Sequence, residues 1–174
     1  MAVNVDQVMP RCHAQVAQAF TQGVGVDRPI RELVLGEFPS FTGEWFARLQ
    51  EVETDGWRGY VVTPEPPKRL VSVYVDPMLD GFSGTPLPSF SMEELVRVCG
   101  RVVTEIPVSP ALVERISSIT MPILPQPGVQ VRDGTSYLVL ATALNGVRAM
   151  WFHEPSDDAG RSVLELIRSV KACR

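Results

Sequence analysis

Apolar residues recur at helical spacing near the start of the chain, at Val5, Val8, Met9, Cys12, Val16, Ala19 and Phe20. Pro10 falls inside that stripe, and a proline is poorly tolerated in a helix interior. The spacing therefore predicts a helix starting near Pro10, since proline suits the first helical position, and ending at Gly23-Val24-Gly25. Four strands are expected next, over 32–35, 41–52, 57–63 and 70–75. The turn pair Asp55-Gly56 precedes the third, and the fourth alternates Val71, Val73 and Val75 against Ser72 and Tyr74. Short turns without an intervening helix imply antiparallel pairing, because parallel neighbours need long crossovers.

Residues 76–90 read as a Gly/Pro-rich connection, and an unstructured loop of that length is usually functional or mobile. Ser91 with Glu94 forms a capping box. The helix it opens should bury Leu95, Val98, Cys99, Val102 and Ile106 before Pro107 ends it. Ser109-Pro110 starts a shorter helix with Leu112, Val113, Ile116 and Ile119 on one face. Residues 137–144 and 147–153 suggest a hairpin around Asn145-Gly146, with Leu144 opposite Val147. A last helix follows, capped by Ser156, with Asp157 and Asp158 where the helix dipole favours them. Its buried stripe is Val163, Leu164, Leu166, Ile167 and Val170.

The order is helix, strands, two helices, hairpin, helix. It implies one α+β domain over 1–174, an antiparallel sheet of about five to six strands with helices packed mainly on one face. A chain of 174 residues can bury roughly 70 % of its surface, so it needs no disulfide or metal to fold.

Composition changes this picture in three ways. A net charge of −4 with no basic run argues against nucleic acid as a partner. Cys12, Cys99 and Cys173 are far apart and form no CxxC, which fits a reducing compartment and no zinc ribbon. No apolar run is long enough to span a membrane, and the first residues lack a signal-peptide pattern, so the expected location is cytoplasmic. Fifteen prolines, about 9 % against a usual level of about 5 %, fall mostly at element ends, where they stiffen connections.

Candidate chemistry is sparse. Gly81-Phe82-Ser83-Gly84 resembles a nucleophile elbow, but position 85 is Thr and prolines follow instead of a helix. His153 and Glu154 lie close in sequence to Asp157 and Asp158, yet the only other histidine is His13, so neither a metal site nor a cofactor is expected. Glu51, Glu53 and Asp55 alternate toward a strand end and could form an acidic docking edge, with Trp57 beside them. Adjacent aromatic pairs such as Trp45-Phe46 and Trp151-Phe152 point to opposite sheet faces, and any ring on an open face would anchor an interface.

The tail runs Asp133-Gly134-Thr135-Ser136-Tyr137, Asn145-Gly146, Trp151, Pro155 and an amphipathic helix. That layout resembles the endings of small uncharacterised bacterial proteins, including immunity proteins of polymorphic toxin systems. The resemblance covers about a quarter of the chain and carries no catalytic motif. It implies a cytosolic α+β protein that acts by binding another protein.

The expected function is therefore a non-enzymatic partner-binding protein, most simply an immunity protein that occludes a cognate toxin's active site. Its expected contact residues are Asp80, Phe82 and Ser83 in the 76–90 loop, with Glu51, Glu53, Asp55 and Trp57 on the acidic edge. One alternative is a secretion-system chaperone for an effector. Another is a small hydrolase or transferase using Ser83, His153 and Asp157, with Asp80 as a further candidate. A protein partner is expected and a membrane is not; self-association is left open.

Overall fold

Neighbouring residues in a strand point to opposite faces, so a run of consecutive apolar residues demands cover on both sides. The chain holds several such runs: Leu33-Val34-Leu35, Trp45-Phe46-Ala47, Val61-Val62 and Leu138-Val139-Leu140, all buried. The computed structural model describes residues 5–39, 43–66, 91–119, 134–143, 146–155 and 157–173. In it the runs belong to the central strands of a sheet sandwiched between two pairs of helices.

The elements are α1 (Val5–Thr21), β1 (Arg31–Pro39), β2 (Trp45–Val52), β3 (Gly56–Pro64) and α2 (Met92–Cys99). Then come β4 (Arg101–Ile106), α3 (Pro110–Ser118), β5 (Thr135–Ala143), β6 (Gly146–Phe152) and α4 (Asp158–Ala172). The six strands are ordered β4-β3-β2-β1-β5-β6, and every neighbouring pair is antiparallel. The α+β class, the single domain and the antiparallel sheet are as the sequence led us to expect.

The helices are distributed differently from that expectation, two on each face. On one face Leu112 and Ile116 of α3, with Val163, Leu166, Ile167 and Val170 of α4, pack on Leu33, Leu35, Ala47, Leu49 and Val139. On the other, Val16, Ala17 and Phe20 of α1, with Leu95 and Cys99 of α2, pack on Val34, Phe46, Val62, Leu138 and Leu140. Each fully buried Leu, Ile, Val or Phe contributes about 1.5–3 kcal/mol relative to exposure. The aromatic pairs are divided between the two cores: Trp45 faces α4 and Phe46 faces α1, and both are buried.

Four local expectations are corrected. The expected helix reaching Ile106 stops at Cys99, because Gly100 caps it at φ 66 and the β-branched run Val102-Val103-Thr104 pairs with β3 as β4. Helix α1 begins at Val5 and continues through Pro10, whose missing N–H removes one helical bond. The β5–β6 hairpin pairs Ala143 with Gly146 and Thr142 with Val147, instead of Leu144 with Val147. That slip leaves every side chain on its expected face. Helix α4 is capped by Asp157, whose Oδ1 accepts from the Gly160 N–H at 2.8 Å. The expected strand at 70–75 and loop at 76–90 lie outside the described residues, as does Ser156.

Candidate functional site

One end of the sheet gathers the start of β1, the β2–β3 turn and the start of β6. Near it the C-terminus of α1 is bound to the sheet by side chains of β2 and of β4, the latter from the opposite end of β3. That helix has no basic residue in its last turn to offset its free carbonyls, and the sheet supplies the charge instead. Arg48 of β2 donates from Nη1 to the carbonyls of Thr21 (3.0 Å) and Val24 (2.6 Å), and from Nε to Glu32 Oε2 (2.6 Å). Arg101 of β4 donates to the carbonyls of Phe20 (3.0 Å) and Gln22 (2.8 Å).

The segment leading to β1 is tied down in the same way. Gln50, fully buried, accepts from the Val26 N–H and donates to the Val26 carbonyl, both at 2.9 Å, and donates to Glu32 at 3.0 Å. A Cβ on Gly25, which sits at φ +81, would lie 2.1 Å from Gln50 Oε1, so only glycine allows this approach.

Beside this clasp lies a half-open groove of about 340 Å³, lined by Asp27, Arg28, Pro29, Ile30, Glu32, Arg48, Thr142 and Ala143. Glu32 and Arg48 are occupied with each other and with the backbone. Asp27 and Arg28 form no ion pair among the described residues. Ile30 is 44 % exposed at the rim, and Val147, which pairs with the groove residue Thr142, is 60 % exposed.

The acidic edge expected from sequence adjoins this groove, with altered geometry. Glu51 lies on β2, whereas Glu53 and Asp55 occupy the turn, so the three do not alternate along one strand. Glu51 sits in a row of three strands, paired with Arg31 on one side and Trp57 on the other. The hydrogen bond and charge of Arg31 hold the Glu51 carboxyl below its usual range, and the same guanidinium lies 5.5 Å from the Trp57 ring centroid. Asp55 is bound by Arg58. Glu53 alone of the three has no ion pair among the described residues. Asp80, Phe82 and Ser83 lie outside the described residues.

The histidines give a result that their spacing did not suggest. His13 and His153 meet around Trp151: the indole Nε1 donates to His13 Nδ1 at 2.9 Å, and the His153 ring stands edge-on to it at 4.7 Å. His13 also stacks on Phe38 at 3.9 Å. Burial, with a smaller contribution from His153, lowers the His13 pKa to about 4. Burial lowers His153 as well, against a hydrogen bond with the Thr135 backbone. His153 Nδ1 lies 3.0 Å from Ser136 Oγ. That Ser–His contact involves a buried hydroxyl, whereas a catalytic serine must be open to its substrate. Asp157 caps α4 through Oδ1, and no hydrogen bond joins it to His153 among the described residues.

Cys12 and Cys99 are buried, Cys173 is half-buried, and none forms a disulfide. Among the described residues no group of three potential ligands could hold a metal ion, and no helix is long and apolar enough to cross a membrane. Compared with protein-family profiles, curated proteins and solved structures, the chain matches none.

Proposed function

We propose that this chain is a non-enzymatic cytoplasmic protein of the immunity type, which neutralises a cognate bacterial toxin by covering its active site. The contact surface is the end of the sheet that carries the groove and the β2–β3 turn. The observation behind this choice is a groove lined by exposed Ile30 and by Asp27 and Arg28, which form no ion pair among the described residues, with exposed Val147 opposite the groove residue Thr142 and Glu53 in the β2–β3 turn. Apolar anchors inside a polar rim are the usual anatomy of a recognition surface. The clasp beneath holds that surface in place, which lowers the entropy lost on binding. The half-buried charges of the groove, Arg48 and Glu32, already have structural partners, so its free chemistry is at the rim.

Affinity capture from the native host tests the reading. The expected result is one stoichiometric partner whose toxic activity is abolished by this chain. Ile30→Asp should weaken that binding about 10- to 100-fold, and Glu53→Lys by less, without altering the melting temperature. Failure to recover a toxin, or a toxin bound equally well by Ile30→Asp, would refute the assignment.

A further inference from the structure

We infer that the free edge of β4 is a self-complementary docking strand, whose partner is β4 of a second copy of this chain. The strand ends the sheet, and among the described residues nothing pairs with its outer side. Every residue from Arg101 to Glu105 is exposed. Val102 and Val103, at 45 % and 44 %, are two of the four exposed large hydrophobic residues among those described.

The sequence order on this strand selects the partner. Antiparallel pairing about a two-fold axis through Val103 sets Arg101 opposite Glu105, Val102 opposite Thr104 and Val103 opposite its own copy. Residues opposite one another share a face. Both ends of the contact therefore carry an Arg–Glu pair, and its middle is filled by β-branched side chains, which suit cross-strand packing. Such an interface is isologous and closes at two copies.

Of the two charges, Arg101 is already held in place. Arg101 is fixed by the carbonyls of Phe20 and Gln22 through Nη1, and its Nη2 and Nε bind nothing among the described residues. Glu105 forms no ion pair among them either. Strand β6, at the other edge, lacks this symmetry. Folding it about Ala149 would set Arg148 against Met150 and Val147 against Trp151, with no charge pair.

Sedimentation equilibrium of the full chain provides the test. The weight-average mass should rise from 19.2 kDa toward twice that value with concentration and stop there. Glu105→Arg should weaken self-association at least about tenfold by placing like charges opposite one another, and Arg101→Glu should do the same. An equimolar mixture of the two variants restores opposite charges at both ends and should associate again. Because Arg101→Glu also removes a contact to α1, Val103→Lys, which sets two like charges on the axis, provides a second disruption that spares α1. A wild-type chain that stays monomeric at the highest concentration would overturn the proposal. So would growth beyond a dimer, undiminished association of Glu105→Arg or Val103→Lys, or folded charge-swapped variants that do not pair when mixed.

Discussion

Against α3 and α4 the sheet offers Leu33, Leu35, Ala47, Leu49 and Val139, and the contact is mainly apolar, with one exposed ion pair from Lys171 of α4 to Glu37 of β1 at 2.6 Å. Against α1 and α2 it offers a comparable apolar patch, but α1 is also held by two guanidiniums and an indole-to-imidazole hydrogen bond, and the segment that follows it by a buried amide. The first contact is largely non-directional, and its strength scales mainly with area. The second fixes the orientation of α1 and of the 22–30 segment, and thereby the rim of the groove. One face supplies bulk stability, while the other positions a surface.

The largest test of this contrast is Leu166→Ala, which hollows the apolar face. It should cost about 3–5 kcal/mol in urea unfolding, with an unchanged denaturant slope. A loss below about 1 kcal/mol would mean that this face can collapse around a cavity and is not closely packed.

Acidification should weaken the other face selectively. His13 is neutral in the fold down to about pH 4 but takes up a proton near pH 6.5 when unfolded. Between those values the unfolded state binds more protons, so stability present above pH 6.5 is lost as pH falls toward 4. Protonation of Nδ1 would also abolish its role as acceptor for Trp151. The loss attributable to His13 is up to about 3 kcal/mol, and His153, shifted in the same direction, adds to it. In His13→Gln, unfolding free energies measured across this range should be flatter than in the wild type. Parallel curves would remove the histidine from the account.

Arg48→Met should cost about 2 kcal/mol, because two carbonyls lose their donor and Glu32 keeps only Gln50. Hydrogen exchange should locate the loosening at the end of α1 and the 22–30 segment, and leave α4 protected. Equal loosening of both faces would contradict the division drawn above.

The smallest effect should come from Trp45→Phe. The indole Nε1 of Trp45 is the one buried side-chain polar atom without a hydrogen-bond partner among the described residues. Removing that N–H relieves an unmet donor while losing some packing, so stability should change by less than about 1 kcal/mol. A larger loss would show that this face depends on a directional contact beyond the Lys171–Glu37 pair.

What the sequence revealed of this arrangement follows from the range of each interaction. Caps and turns are local, so Ser91, Ser109 and the Asp55-Gly56 turn could be recognised directly. The two-sided cover was also legible in principle: Leu33-Val34-Leu35 and Leu138-Val139-Leu140 are continuous apolar runs, which a half-solvated sheet does not need. Such runs mark strands covered on both faces. Val98, Cys99, Val102 and Ile106 keep helical spacing by coincidence across Gly100, and the β-branched run after the glycine was the better signal. The clasp on α1 and the meeting of His13 with Trp151 could not be read at all, because their partners lie 24 to 138 positions apart. Only the fold brings them into reach.

The position of β1 has a bearing on how the protein is made. It lies between β2, which follows it directly, and β5, whose residues pair with it from about a hundred positions later, as in Leu35 with Val139. During synthesis, β1 to β3 can form a meander early, but one side of β1 must wait for the last quarter of the chain. Until then the backbone groups along that side, and the apolar side chains bordering it, are open to a wrong strand or a neighbouring nascent chain. The sheet thus closes from its middle. The β5–β6 hairpin completes it, and the yield of folded protein should depend on how soon that hairpin arrives.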